Sequence, residues 1–315
     1  MRFFDQKSII ENIAIQEWVD AMIMAISTGN SDKYNMPKRM HIDYNENTFL
    51  LMPCITDDYW CTKLVSFCPE NKKSGLPSIH GILVLTSTST GEPLALMDGS
   101  AITAMRTAAV SAVGIKKLAP VNSTSLGIVG TGLQGIYQAI FACSVRKINR
   151  IRAYDNSKSN LQSFTDQVTN KFPDVDIIHA KDSNDVVKNS EVIIAATNSQ
   201  FPVFDNNPEI LKGRTFVGIG SYKPDCREFP EQLFRQADQI FIDSPDGKKE
   251  SGDLIDPVRN KWISENNIYS ISSLLTGEVT LSNNPTRVFK TVGSAIYDLF
   301  AAKLVYEKHL QENHQ

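Results

Sequence analysis

Apolar positions change their spacing along the chain, and each change marks an element. Across residues 9–27, Ile10, Ile13, Ala14, Trp18, Met22 and Ile26 recur at helical intervals, which predicts one amphipathic helix. From Thr48 to Asp98 the apolar runs are short and bounded by turn formers. Residues 49–52, 61–67 and 81–86 read as strands there, and Ser89-Thr90-Gly91-Glu92-Pro93 is a turn from which residues 93–97 pair back as a hairpin. Residues 101–118 are small and apolar, which predicts a helix packed closely on a neighbour. Strand-like runs then alternate with helical stretches, at residues 125–129, 151–154, 175–178, 192–196, 215–219 and 239–242. Such alternation implies a parallel sheet with helices on both faces. Residues 287–309 read as a last long helix, apolar on one side, returning to the first domain.

Composition narrows the class. The 315 residues suit two domains, and 42% hydrophobic against 21% charged residues allows a sizeable core. A net charge of −3 provides no basic field, so neither nucleic acid nor an anionic membrane is an expected partner. No apolar run approaches the roughly 18 residues of a spanning helix. Arg2, Asp5 and Lys7 interrupt the N-terminus, so no signal peptide is visible. The five cysteines are odd in number and widely spaced, as expected of reduced thiols in a cytoplasmic protein. Cys54, Cys61 and Cys68 recur every seven residues, which fits no zinc knuckle, and no metal is expected. His41 and His80 are isolated, and His309 and His314 fall in a polar tail expected to be solvated.

The sharpest local motif is Gly130-Thr131-Gly132-Leu133-Gln134-Gly135. It follows a predicted strand, opens a predicted helix, and is followed by Asp155 at the end of the next strand. Gly130 permits a tight turn, Gly132 lets backbone amides approach a pyrophosphate, and Gly135 permits close helix–strand packing. The helix N-terminus favours the phosphate charge. Asp155 would accept hydrogen bonds from the adenosine ribose 2′-hydroxyl, which favours NAD over NADP, although Lys158 is near. Thr197-Asn198-Ser199 follows a strand end, and either lines the cofactor or is a plain turn.

Three cations stand out. Strand alternation puts Lys63 on the face of Cys61, Val65 and Phe67, where a lysine needs a partner or a function. Arg106 is the only charged residue between Gly99 and Ile115, and calls for a buried anion, either a structural carboxylate or that of a substrate. Arg39 would by itself pass as a surface arginine.

Several ordered motifs carry a resemblance that covers nearly the whole chain. They are Leu51-Met52-Pro53, Lys63, Pro69-Glu70-Asn71, Gly75-Leu76-Pro77, Thr90-Gly91-Glu92-Pro93, Asp98-Gly99, Thr103-Ala104-Met105-Arg106-Thr107-Ala108-Ala109, the glycine loop, and Phe289-Lys290-Thr291-Val292-Gly293 with Asp298. Together they resemble the ornithine cyclodeaminase/μ-crystallin family. The resemblance implies an α/β protein: a Rossmann-type doubly wound parallel sheet plus an α+β substrate-binding and dimerisation domain. The latter would be residues 1–118, completed by about 287–315, and the NAD(P)-binding domain 119–286. It also implies a homodimer, and that Arg39, Lys63 and Arg106 surround a substrate's α-carboxylate and α-nitrogen. The residues expected to contact the cofactor are then Arg106, Thr107, Gly130, Thr131, Gly132, Leu133, Gln134, Asp155, Thr197, Ser199, Gly220, Ser221, Val292 and Gly293.

Two positions bear on the chemistry. The cyclodeaminases of this family carry a carboxylate before Leu-Met-Pro, where this chain has Leu50, and an aspartate in a Gly-Gly-Asp-Cys-Pro motif, where it has Tyr222. The groups that would manage ornithine's distal amine are therefore absent. The segment Gly220-Ser221-Tyr222-Lys223-Pro224 with Arg227-Glu228 instead resembles bacterial Δ1-pyrroline-2-carboxylate reductases. The expected activity is NAD(P)H-dependent reduction of a cyclic imino acid, with Leu50 and Tyr222 as an apolar wall and Lys63 supplying or stabilising the proton, or else only binding the carboxylate. An amino-acid or opine-type dehydrogenase, or a non-catalytic small-molecule binder, are the alternatives.

Overall fold

The computed structural model describes residues 1–312 other than 30 and 32, and of Lys72 only the backbone; His314 lies outside the described residues. It comprises two compact units, Met1–Arg106 with Ser294–Gln315, and Thr107–Gly293.

The first unit contains β1 (Arg2–Phe4), α1 (Gln6–Glu11), α2 (Ile15–Thr28), β2 (Tyr34–Asn35), β3 (Met40–Tyr44), β4 (Asn47–Thr56), β5 (Tyr59–Phe67), β6 (Ile79–Ser87) and β7 (Pro93–Asp98). These strands form one sheet in the order β1-β7-β6-β5-β4-β2, with β3 also on β4. Alternation sets its two faces. Met52, Cys54, Cys61, Lys63, Leu83, Leu85, Ala95 and Met97 are buried on one. Phe49, Trp60 and Leu64, with Met40, Ile42 and Tyr44 of β3, are exposed within this chain. The helix predicted over 9–27 is two helices. Asn12 caps the C-terminus of α1, and Glu17 accepts a hydrogen bond from Ala14 N–H at 3.0 Å to start α2 anew.

Helix α3 (Gly99–Leu118) spans the division at Arg106, 12 residues short of the expected boundary at 118. Its small residues have a packing reason: a Cβ on Gly114 would collide with the ring of Phe289.

The second unit alternates strand and helix: β8 (Ser125–Val129), α4 (Leu133–Val145), β9 (Arg150–Tyr154), α5 (Lys158–Lys171), β10 (Asp176–His179), α6 (Ser183–Lys188), β11 (Val192–Ala195), α7 (Pro208–Leu211), β12 (Thr215–Gly218), α8 (Glu231–Gln236) and β13 (Ile240–Ile242). It closes with α9 (Gly247–Glu250), α10 (Gly252–Arg259), β14 (Ile268–Ser270), α11 (Ile271–Thr276) and β15 (Arg287–Lys290). All eight strands run parallel, in the order β10-β9-β8-β11-β12-β15-β13-β14. The order reverses between β8 and β11, and such a switch point opens a crevice at the carboxyl ends of the strands.

The C-terminal segment departs from expectation. Residues 287–290 are not helix but a strand between β12 and β13, whose backbones pair with both its edges. The last helix, α12 (Ala295–Glu312), begins only after Gly293 turns the chain at φ 76. It belongs to the first unit, where it packs on α2 and on β4 and β5. His309 is not in a solvated tail: it lies on α12, half-buried, with its ring edge-on to Phe4 at 5.2 Å. His41 and His80 are exposed on β3 and β6. Among the described residues no helix is long and apolar enough to cross a membrane, and no cluster of His, Cys, Asp or Glu is placed to hold a metal ion.

Candidate active site

Three charged side chains converge in the first unit. Lys63 extends from β5 on its buried face, opposite Met52 and Leu83. Its Nζ lies 3.0 and 2.9 Å from the two carboxylate oxygens of Asp298. It also donates to Thr103 Oγ1 at 3.2 Å, while the Thr103 hydroxyl donates to Gly99 O. Arg106, from α3, reaches the same Asp298 Oδ1 through Nε at 3.0 Å. Asp298 sits in the first turn of α12 and is fully buried. The anion that Arg106 calls for is thus a structural carboxylate. Only Nε is used for it, and the two terminal nitrogens make no hydrogen bond among the described residues. That planar pair matches a second carboxylate.

Burial is the largest influence on Lys63 and lowers its pKa to about 8. Asp298 opposes the shift, and Arg106 adds to it. The ammonium therefore gives up a proton far more readily than a surface lysine. Nearby thiols do not compete: burial and the charge of Asp298 push Cys54 up to about 12 and Cys61 well above its ordinary value.

Leu50 lies on the Lys63 face of β4, opposite Val65 and two pairs beyond Met52–Lys63. Arg39 is half-buried just before β3. Tyr222 belongs to the second unit, in the segment after β12, and is 42% exposed.

The second unit holds the glycine loop. Each glycine has a distinct reason. Gly130 has φ 92, and a Cβ there would collide with Ala196 O. A Cβ on Gly135 would strike Gly130 O, so the helix can approach its strand only without one. At Gly132 a Cβ would meet nothing within 4 Å, so protein packing does not demand glycine there. The N-terminus of α4 has no side-chain cap, which leaves its amides to an anion. Open space at Gly132 beside uncapped amides fits a dinucleotide pyrophosphate.

Asp155 is half-buried at the end of β9, as the motif requires, and has a second task. Its Oδ2 accepts from Thr131 N and Oγ1 at 2.7 and 3.1 Å, and its Oδ1 from Ser157 N at 2.8 Å, tying the glycine loop to the next strand. Thr107 and Thr131 are buried, Leu133 is exposed, and Gln134 is half-buried on the first turn of α4. Val292 and Gly293 follow β15, where their amides donate to Asp243 at 3.1 and 2.9 Å.

Sequence reasoning gave no role to Asp298, Thr103 or Asp243, nor to the buried trio Glu228, Asp253 and Lys290 beside the loops of Thr197 and Gly220. Asp298 was visible only as a motif residue. A charged lysine within the apolar run Val288-Phe289-Lys290 was a usable signal that a buried partner exists.

The chain is similar to several known proteins. A Δ1-pyrroline-2-carboxylate reductase of Bacillus cereus is 32% identical over 309 residues, covering 95% of this chain and 94% of that protein. The structure of Thermococcus litoralis Δ1-pyrroline-2-carboxylate reductase in complex with NADH and L-proline matches with a TM-score of 0.92 at 31% identity, over 99% of this chain and 98% of that one. An archaeal alanine dehydrogenase dimer with bound NAD matches at 0.90 and 25% identity, over 99% and 97%. The family model for the ornithine cyclodeaminase/mu-crystallin family matches residues 2–313, and the chain belongs to that family.

Proposed function

We propose that this chain reduces the C=N bond of Δ1-pyrroline-2-carboxylate, and of its piperideine homologue, to the corresponding cyclic amino acid. The observation that carries the proposal is the buried Lys63–Asp298–Arg106 cluster, which combines a readily released proton with an unused guanidinium fork. The reaction adds a hydride to the imine carbon and a proton to the ring nitrogen. A reduced nicotinamide held by the second unit supplies the hydride. Arg106, with Arg39, fixes the substrate carboxylate by charge-assisted hydrogen bonds. Lys63 delivers the proton to the nitrogen, and Asp298 holds Lys63 in place and favours its charged form before transfer. Leu50, on the Lys63 face of β4, offers the ring an apolar wall and no partner for a free amine. One ring methylene is worth about 1–3 kcal/mol of discrimination, so both ring sizes are substrates.

The carboxylate of Asp155 repels a 2′-phosphate, so NADH is the preferred donor. The active form is a homodimer joined through the exposed apolar face of β3, β4 and β5, because a sheet with both faces apolar needs cover on both.

Oxidation of NADH by the full chain, with pyrroline-2-carboxylate, piperideine-2-carboxylate, or pyruvate plus ammonia, tests the reading. Turnover of the cyclic imines supports it. Faster turnover of pyruvate with ammonia moves the assignment to an alanine dehydrogenase, and NADH binding without any turnover moves it to a non-catalytic binder.

A further inference from the structure

Glu228 is fully buried, is far from the Lys63 cluster in sequence, and has no part in the chemistry above. Four donors from two separate loops converge on it. Its Oε1 accepts from Thr197 N at 2.7 Å and Thr197 Oγ1 at 2.8 Å, in the loop after β11. Its Oε2 accepts from Gly220 N at 2.7 Å and Ser221 N at 3.3 Å, in the loop after β12. The two loops also touch directly, since a Cβ on Gly220 would collide with Thr197 O. The backbone that carries Glu228 is itself anchored. Asp253 Oδ1 accepts from the amides of Glu228 and Phe229, both at 2.9 Å. The buried Lys290 ammonium lies 3.9 Å from Glu228 and 3.5 Å from Asp253, which offsets part of their charge.

The place of this clamp follows from the topology. If the adenosine ribose meets Asp155 after β9 and the pyrophosphate meets the glycine loop after β8, the rest of a dinucleotide runs on toward the ends of β11 and β12. Those ends carry the two loops that Glu228 joins. Resting on the proposed nicotinamide dependence, we propose that Glu228 is a positioning residue that locks the Thr197 and Gly220 loops into one floor for the nicotinamide half of the cofactor. It touches neither hydride nor substrate, and acts through the backbone of the loops.

The test compares two ligands on the full chain and on Glu228→Gln: NADH, and ADP-ribose, which lacks the nicotinamide. Glutamine keeps the size but turns one acceptor oxygen into a donor facing N–H groups. Losing charge-assisted hydrogen bonds of this kind predicts a dissociation constant for NADH raised about ten- to a hundredfold. Affinity for ADP-ribose, which depends on Asp155 and the glycine loop, is expected to stay within about twofold. Equal losses for both ligands would mark a role in general folding and overturn the proposal, as would unchanged NADH binding. Should Glu228→Gln not fold, Thr197→Val removes one donor to the same carboxylate at nearly constant volume, and the same split is expected on a smaller scale. Failure of the unaltered chain to bind NADH would overturn the cofactor reading itself, whereas binding by both chains alike overturns only the role of Glu228.

Discussion

Lys63 carries its charge where water is excluded, and its pKa is lowered to about 8 mainly for that reason. The ammonium prevails below that value and the amine above it. A step that consumes the Lys63 proton should therefore slow as the pH rises through about 8, seen as a falling alkaline limb in kcat. Asp298 is the charge that pulls the pKa back up. Asp298→Asn should move that limb to lower pH, and should also destabilise the fold by about 3–5 kcal/mol, because two buried cations lose their partner. An unmoved limb would give the proton to another group. Lys63→Ala should lower kcat by about 10²–10⁴ if Lys63 is the donor, whereas a change confined to KM would make it a binding residue. Arg106→Ala should raise KM for the imine. Asp155 tethers Thr131, and under the proposed cofactor reading it would also meet the ribose. Asp155→Ser is thus expected to weaken both NADH and NADPH and to narrow the gap between them. A variant with unchanged preference would place cofactor choice on Lys158 or another cation.

Among the elements, the strand–loop–helix unit β8–α4 separates packing from binding within three residues. Gly135 meets Gly130 O where a methyl group would sit, and neither backbone can yield. Gly135→Ala should lower stability by about 1–3 kcal/mol despite the better helix propensity of alanine. Gly132 has φ −67, which any residue adopts, and open space at its Cβ. Gly132→Ala should keep stability within about 1 kcal/mol, the difference between the two as an N-cap, yet lose much of the NADH affinity. Thermal melts beside fluorescence titration separate the two. A Gly132→Ala chain that binds NADH normally would show that the open space is not the pyrophosphate position. The pair β4–β5 shows the same economy of position. One face buries Lys63 with Met52 and Cys61, and the other exposes Trp60 and Leu64.

At the scale of the whole molecule, that outer face is the proposed association surface. Met40, Ile42, Tyr44, Phe49, Trp60 and Leu64 are each more than a third exposed in the single chain. Trp60→Glu with Leu64→Glu should turn a dimer into a monomer by light scattering at micromolar concentration, because two carboxylates would be desolvated at the interface. A monomeric mass for the unaltered chain would remove this surface from consideration. The two units otherwise divide the work. One holds the Lys63–Asp298–Arg106 cluster, and the other holds the glycine loop and the loops that Glu228 joins.

Features set by short-range physics were legible from the residues alone. The glycine loop was readable because each of its constraints, a positive φ, an open Cβ and a close backbone approach, acts within a few residues. The alternation of β4 and β5 placed Lys63 on a buried face for the same reason, since neighbouring side chains of a strand must diverge. Residues 287–290 were misread because four apolar-flanked positions carry no periodicity, and only pairing with β12 and β13 makes them a strand. The partner of Lys63 and Arg106 was beyond reach of pattern. Asp298 lies 235 and 192 residues away along the chain, and nothing local to any of the three specifies the others. Folding decided that meeting. Once water was removed from around two cations, only a carboxylate brought in by a distant helix could satisfy them, and the same exclusion of water drew Lys290 to Glu228 and Asp253.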